Sequence, residues 1–171
     1  FTFPIEDYYK RVGFDFDKIP FSMLAHEYME DYQEKSYACD LHSDVLDVVN
    51  KAKNLGFSQT VLSASKMDYL LKQMKTLHVD DLFDSIYGIN DIYAKSKVEL
   101  AHAFKQTCSL DDEIYFVGDS VHDYEVAKNI GAKCILVTTG HQNRATLESV
   151  NVPVMDSLME SLDLIYERDK D

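Results

Sequence analysis

Three short segments of the 171-residue sequence carry residue types able to hold a phosphate and a metal. The first is Gly118-Asp119-Ser120-Val121-His122-Asp123, directly after an apolar run ending at Val117. Two carboxylates four positions apart, one at a strand end and one at a helix start, face the crevice above a sheet. Paired hard oxygen ligands are what Mg2+ prefers, and Gly118 lets the backbone turn tightly. The same acids can also serve as helix caps, because a helix N-terminus favours negative charge. The second segment is Thr60-Val61-Leu62-Ser63-Ala64-Ser65, where hydroxyls and backbone N–H groups at a strand–helix junction either cradle a phosphate or cap the helix. The third is Ala94-Lys95-Ser96-Lys97-Val98, where a lysine ahead of a helix can neutralise a phosphate and its surrounding carboxylates.

The elements that must position these residues follow from periodicity. Val45, Leu46, Val48, Val49, Ala52 and Leu55 form an apolar stripe at helical spacing, with Ser43 as the expected N-cap and Gly56 as the stop. Phe57–Leu62 reads as a short strand, Met67–Leu77 as a helix, Ser85–Gly88 as a brief strand and Val98–Thr107 as a helix. Glu113–Val117 reads as a buried strand, then a helix through Val126 and Ala127 to Ile130 closed by Gly131. Cys134–Thr138 is the next buried strand, and a last helix runs from near Asp156 to Tyr166. This alternation predicts a Rossmann-like α/β fold, a parallel sheet covered by helices on both faces. Ligands in such sheets sit at the carboxyl ends of the strands, which is where Leu62 and Val117 lie.

Residues 1–38 differ, with helical spacing over Phe21–Glu34 and Glu6–Val12 and no alternation with strands. Phe21, Leu24, Ala25, Tyr28, Met29 and Tyr32 fall on one side of the longer helix. We expect a separate helical layer over residues 1–38 and an α/β core over residues 39–171.

Composition narrows the function classes. A formal net charge of −13 argues against a nucleic-acid partner, whose phosphates are bound through clustered Lys and Arg. No apolar run reaches the length of a membrane span. Cys39, Cys108 and Cys134 lack the spacing of a disulfide framework or zinc site, which points to a reducing, cytoplasmic setting.

In this order and at these junctions, the three segments resemble the motifs of the haloacid dehalogenase superfamily. VLSAS resembles motif II, AKSK motif III and VGDSVHD motif IV. Leu82-Phe83-Asp84-Ser85-Ile86-Tyr87-Gly88 is similar to the stretch between motifs II and III, and Gly131-Ala132-Lys133 to the glycine step after motif IV. The resemblance spans roughly Leu41 to Tyr166 and is greatest to phosphoglycolate phosphatase-like members with a helical cap between motifs I and II. It implies that Ser63 binds the transferring phosphoryl group and that Lys97 offsets its charge. Lys97 is preferred to Lys95 because it immediately precedes the helix, with Ser96 as cap. Asp119 would ligate Mg2+, with Asp123 ligating it too or ordering its water.

Motif I of the family, Asp-x-Asp-x-Thr after a central strand, supplies the nucleophile and a general acid/base, and the sequence contains no match to it. Asp15-Phe16-Asp17-Lys18-Ile19 has the paired acids without the Gly and Thr that follow them, and only three uncharged residues precede it. Residues 1–38 instead fit part of the cap, with Asp15 and Asp17 as exposed acids and the nucleophile upstream of Phe1. Without the motif I strand, which lies between those of motifs II and IV, the sheet would be open through its middle. The expected activity is Mg2+-dependent hydrolysis of a small phosphorylated metabolite through an aspartyl-phosphate. A phosphoglucomutase-type member and a non-catalytic Mg2+- or phosphate-binding module are the alternatives. The sequence leaves the oligomeric state open, monomer or weak dimer.

Overall fold

Two helices rich in aromatic residues begin the chain, α1 (Ile5–Arg11) and α2 (Phe21–Ser36). The computed structural model describes residues 5–89, 96–168 and 170. It divides into two units, Phe1–Asp40 and Leu41–Asp171. In the first, α1 carries Glu6 and Asp7 in its first turn and Lys10 and Arg11 in its last, matching the helix dipole at both ends. The turn after it is packed by rings: Tyr9 meets Phe14 edge-on at 5.1 Å, and Phe16 meets Phe21 at 5.5 Å. Tyr28 and Tyr32, expected on the apolar side of α2, stack on each other but remain 49% and 48% exposed.

The second unit alternates helices and strands: α3 (Val45–Asn54), β1 (Thr60–Lys66), α4 (Met67–Thr76), β2 (Ser85–Ile89), α5 (Lys97–Thr107), β3 (Tyr115–Gly118), α6 (Val121–Ile130), β4 (Lys133–Val137), α7 (Arg144–Glu148), β5 (Val154–Met155) and α8 (Leu158–Arg168). All strand pairings are parallel. Val61 and Leu62, on opposite faces of β1, show the covering on both sides. Val61 packs with Leu70, Met74 and Val79, and Leu62 with Ala101, Val126 and Ile130. This is the α/β fold the alternation predicts.

Several boundaries differ from the sequence reading. The helix expected after Ser43 is preceded by Asp44, whose carboxylate caps another helix, accepting the N–H groups of Leu158 and Met159 at the start of α8. β1 starts at Thr60, where pairing with Ser85 begins, and continues to Lys66 rather than ending at Leu62. α7 and β5 were not anticipated, being only five and two residues long.

The strands form two ladders, β1-β2 and β3-β4-β5. Between β1 and β3 lies a cleft of about 560 Å3 whose walls include Thr60, Leu62, Lys97, Tyr115, Phe116 and Val117. The strand expected to be buried over Glu113–Val117 therefore has one edge unpaired among the described residues, and Val117 is 36% exposed. Its neighbour β4 is covered on both sides, with Ile135 and Leu136 fully buried. Among the described residues, no helix is long and apolar enough to cross a membrane.

Candidate active site

The two acids of the Gly118–Asp123 segment have different surroundings. Ser120 is the N-cap of α6, and its hydroxyl oxygen accepts the Asp123 N–H at 3.2 Å. Asp123 Oδ2 in return accepts the Ser120 N–H at 3.1 Å, the Ser120 hydroxyl at 2.7 Å and the Asp119 N–H at 3.0 Å. This reciprocal capping box closes the first turn of the helix. Gly118 makes it possible, because a Cβ there would lie 2.3 Å from the Cβ of Asp123.

Asp123 is 2% exposed, and a buried carboxylate requires a partner. Its other oxygen, Oδ1, accepts from Lys97 Nζ at 2.5 Å. Lys97 is the first residue of α5, where Ser96 caps the helix by accepting the Glu99 N–H. Its ammonium also lies over the Phe116 ring, 5.6 Å from the centroid. The N-terminal ends of α5 and α6 thus meet, each with a partial positive charge, beside the ion pair.

Asp119 is only half-buried, and one of its oxygens is fixed by the loop after β4. Oδ2 accepts the His141 N–H at 2.9 Å, and His141 Nδ1 lies 3.1 Å from the same oxygen. The Cα of Gly140 sits against this carboxylate, so that a Cβ there would lie 2.0 Å from Oδ2. Burial pushes the Asp119 carboxyl up, but the His141 N–H and ring outweigh it and hold the group below the usual carboxylate range. Asp119 is therefore ionised at neutral pH. Gln142 of the same loop accepts the Val121 N–H at 2.7 Å, satisfying another amide in the first turn of α6.

Ser63 is the first residue beyond the regular β1–β2 ladder, and its hydroxyl accepts the Ser65 N–H at 3.1 Å. Neither serine caps α4, because the strand runs on to Lys66, which precedes the helix without a side-chain cap bond. The structure brings Lys97, Asp119 and Asp123 together. Among the described residues, Ser63 makes no hydrogen bond to any of them. Lys95 lies outside the described residues. Asp15 and Asp17 lie in the turn between α1 and α2, where Asp15 accepts the Asp17 N–H and pairs with Lys18 at 2.9 Å.

Gly140, His141 and Gln142 were missed by the sequence reading. The rule that singled out the residues after Leu62 and Val117 applies equally after Val137, since the loop at the end of each parallel strand faces the same crevice.

The donor set has room for a hard cation at one point. Asp123 is committed through both oxygens, whereas Asp119 Oδ1 accepts no hydrogen bond among the described residues. No group of three or more His, Cys, Asp or Glu able to hold a metal occurs among those residues. A Mg2+ ion would take one oxygen from Asp119 and complete its shell from water, phosphate or a further carboxylate.

A parallel sheet covered by helices on both faces, with Lys97 and Asp123 at the starts of α5 and α6 and Asp119 just beyond β3, is a Rossmann-like α/β architecture with its polar cluster at the strand ends. Residues 1–137 match the family model described as haloacid dehalogenase-like hydrolase, and the chain belongs to that family. No curated protein matches the chain. Its fold is similar to that of a haloacid dehalogenase-like family hydrolase of Streptococcus pneumoniae, at 21% identity and a TM-score of 0.80, covering 91% of this chain and 73% of that one. A protein of Clostridium acetobutylicum described as a predicted phosphatase is similar at 19% identity and a TM-score of 0.78, covering 95% and 76%. One of Haemophilus somnus described as a predicted phosphoglycolate phosphatase has 19% identity and a TM-score of 0.63, covering 78% and 61%. At these identities the likeness is one of fold.

Proposed function

We propose that this protein is a Mg2+-dependent phosphatase of the haloacid dehalogenase-like family acting on a small phosphorylated metabolite, in the manner of phosphoglycolate phosphatase-like members. The observation that carries this reading is the Lys97–Asp123 pair beside Asp119, whose Oδ2 is held by His141 while Oδ1 accepts no hydrogen bond among the described residues. Asp119 would hold the metal, while Asp123, committed through both oxygens, fixes the Lys97 ammonium beside it. Ser63 and Lys97 bind the phosphoryl oxygens, Lys97 offsetting their charge. The metal, when bound, supplies further positive charge at those oxygens.

The nucleophile is a carboxylate carried by a strand that enters the cleft between β1 and β3, from a segment outside these 171 residues. The cleft supports this, because among the described residues neither flanking strand has a ladder partner on that side. Attack of that carboxylate on phosphorus expels the alcohol and forms an aspartyl-phosphate. Water then attacks the acyl phosphate, releasing inorganic phosphate and restoring the carboxylate. The helical unit Phe1–Asp40 is part of the cap that selects the substrate, and Asp15 and Asp17 take no part in catalysis. The three cysteines, none of them in a disulfide, support a reducing, cytoplasmic setting.

The test compares the 171-residue chain with a version extended upstream, using p-nitrophenyl phosphate with Mg2+ or with EDTA. Turnover is expected only from the extended chain with Mg2+, and Asp119→Asn in that chain should remove it. Equal turnover by a folded 171-residue chain would overturn the outside nucleophile. Full activity in EDTA would overturn the metal role, and phosphate or Mg2+ binding without turnover would favour a binding module.

A further inference from the structure

The loop between β4 and α7 touches the Asp119–Asp123 segment through three consecutive residues, two of them at Asp119 itself. Gly140 presses its Cα against the Asp119 carboxylate, His141 offers both its N–H and its ring Nδ1 to Oδ2, and Gln142 accepts the Val121 N–H. These contacts join a loop beyond β4 to the turn after β3, across 22 residues of sequence in the case of His141 and Asp119.

A half-buried carboxylate with both oxygens free can rotate about its last torsion and present either one, or both, to a cation. Asp119 lacks that freedom, since Oδ2 is engaged from two directions and Gly140 blocks the space behind it. Oδ1 is the oxygen that accepts no hydrogen bond among the described residues. Groups that hold a metal ligand through its second atom fix its orientation and raise the affinity of the site.

We propose that His141 is a positioning residue for the metal site, its ring holding Asp119 Oδ2 so that Oδ1 is presented to the cation. The inference rests on Asp119 being the metal-binding acid. The His141 ring is 82% exposed, so its removal leaves no cavity and costs the fold little. The backbone N–H bond persists in any side-chain variant except proline, so the ring's share can be read separately.

The experiment measures Mn2+ affinity by electron paramagnetic resonance, as a stand-in for Mg2+, on the full-length protein and its Asp119→Asn, His141→Ala and His141→Asn variants. Urea midpoints are recorded alongside. The Asn side chain places an amide nitrogen near the position of Nδ1. His141→Ala is expected to weaken Mn2+ binding about tenfold at an unchanged urea midpoint, and His141→Asn to restore most of the loss. Wild-type affinity in His141→Ala, with binding lost in Asp119→Asn, overturns the positioning role and leaves the metal assignment standing. Wild-type affinity in Asp119→Asn overturns the metal assignment, and this inference with it. A loss in His141→Ala that tracks a lowered urea midpoint, or that Asn fails to restore, also overturns the positioning role.

Discussion

Lys97 Nζ lies 2.5 Å from Asp123 Oδ1, and this buried pair ties the first turn of α5 to the first turn of α6. Asp123 has a side chain only 3% exposed and Lys97 one of 17%, so neither charge can turn fully to water if the other is removed. Removing one partner of such a pair costs about 3–5 kcal/mol. Asp123→Ala should therefore destabilise by that amount in urea unfolding, with additional loss from the broken capping box. The double change Lys97→Met/Asp123→Leu should cost less than Asp123→Ala alone. A loss below about 1 kcal/mol for Asp123→Ala, the value of an exposed pair, would show that the pair is solvated.

Two glycines should respond differently to alanine. Gly131 ends α6 at a φ of +69° with open space where a Cβ would go, so Gly131→Ala costs only the left-handed backbone penalty, about 1–2 kcal/mol. Gly140→Ala instead drives a Cβ to 2.0 Å from Asp119 Oδ2, so the carboxylate or the loop must move. Phosphatase assays of the extended protein should find Gly131→Ala close to wild type and Gly140→Ala reduced at least tenfold. Equal activity in the two would show that Asp119 tolerates displacement.

Cys134 predicts a loss of stability at high pH. Burial, with a smaller contribution from the Asp123 charge, pushes its thiol up to about 12. An unfolded cysteine loses its proton near pH 8.5. Between those values the unfolded chain binds fewer protons than the folded one, so stability falls as pH rises and is fully kept below about pH 8.5. Urea midpoints taken from pH 7 to pH 10.5 should fall less in Cys134→Ala than in wild type. In the native protein a thiol reagent should label exposed Cys39 and leave Cys134 unmodified until unfolding.

The unanticipated short helix α7 should matter to stability through one side chain. Leu147 is fully buried against Ala127, Cys134 and Leu136. Leu147→Ala should cost about 2–5 kcal/mol. Leu110→Ala, at a fully exposed position, should change the urea midpoint by less than about 0.5 kcal/mol equivalent. Similar losses at the two sites would mean that α7 does not seal the core over β4.

What the sequence determined by itself was whatever short-range chemistry decides. Ser96 caps α5 through a hydrogen bond three residues along, and Gly56 and Gly131 adopt positive φ where the apolar stripes before them end. The strand–helix alternation likewise reveals the parallel fold, because periodicity records which faces each element buries. Pairings between distant parts of the chain were decided only by the tertiary structure. Asp44 stands beside its own helix in sequence yet caps α8, and β1 begins where Ser85 meets Thr60 rather than where its apolar residues start. The acid spacing of Asp119 and Asp123 is visible in the sequence, but their unequal surroundings are not. Asp123 is saturated by Ser120 and Lys97, while His141 and Gly140 hold Oδ2 of Asp119 and its Oδ1 accepts no hydrogen bond among the described residues. Apart from Ser120, three residues away, those partners come from α5 and from the loop after β4. A carboxylate's role depends on which donors the packed elements bring to each oxygen, and local sequence spacing carries no record of that.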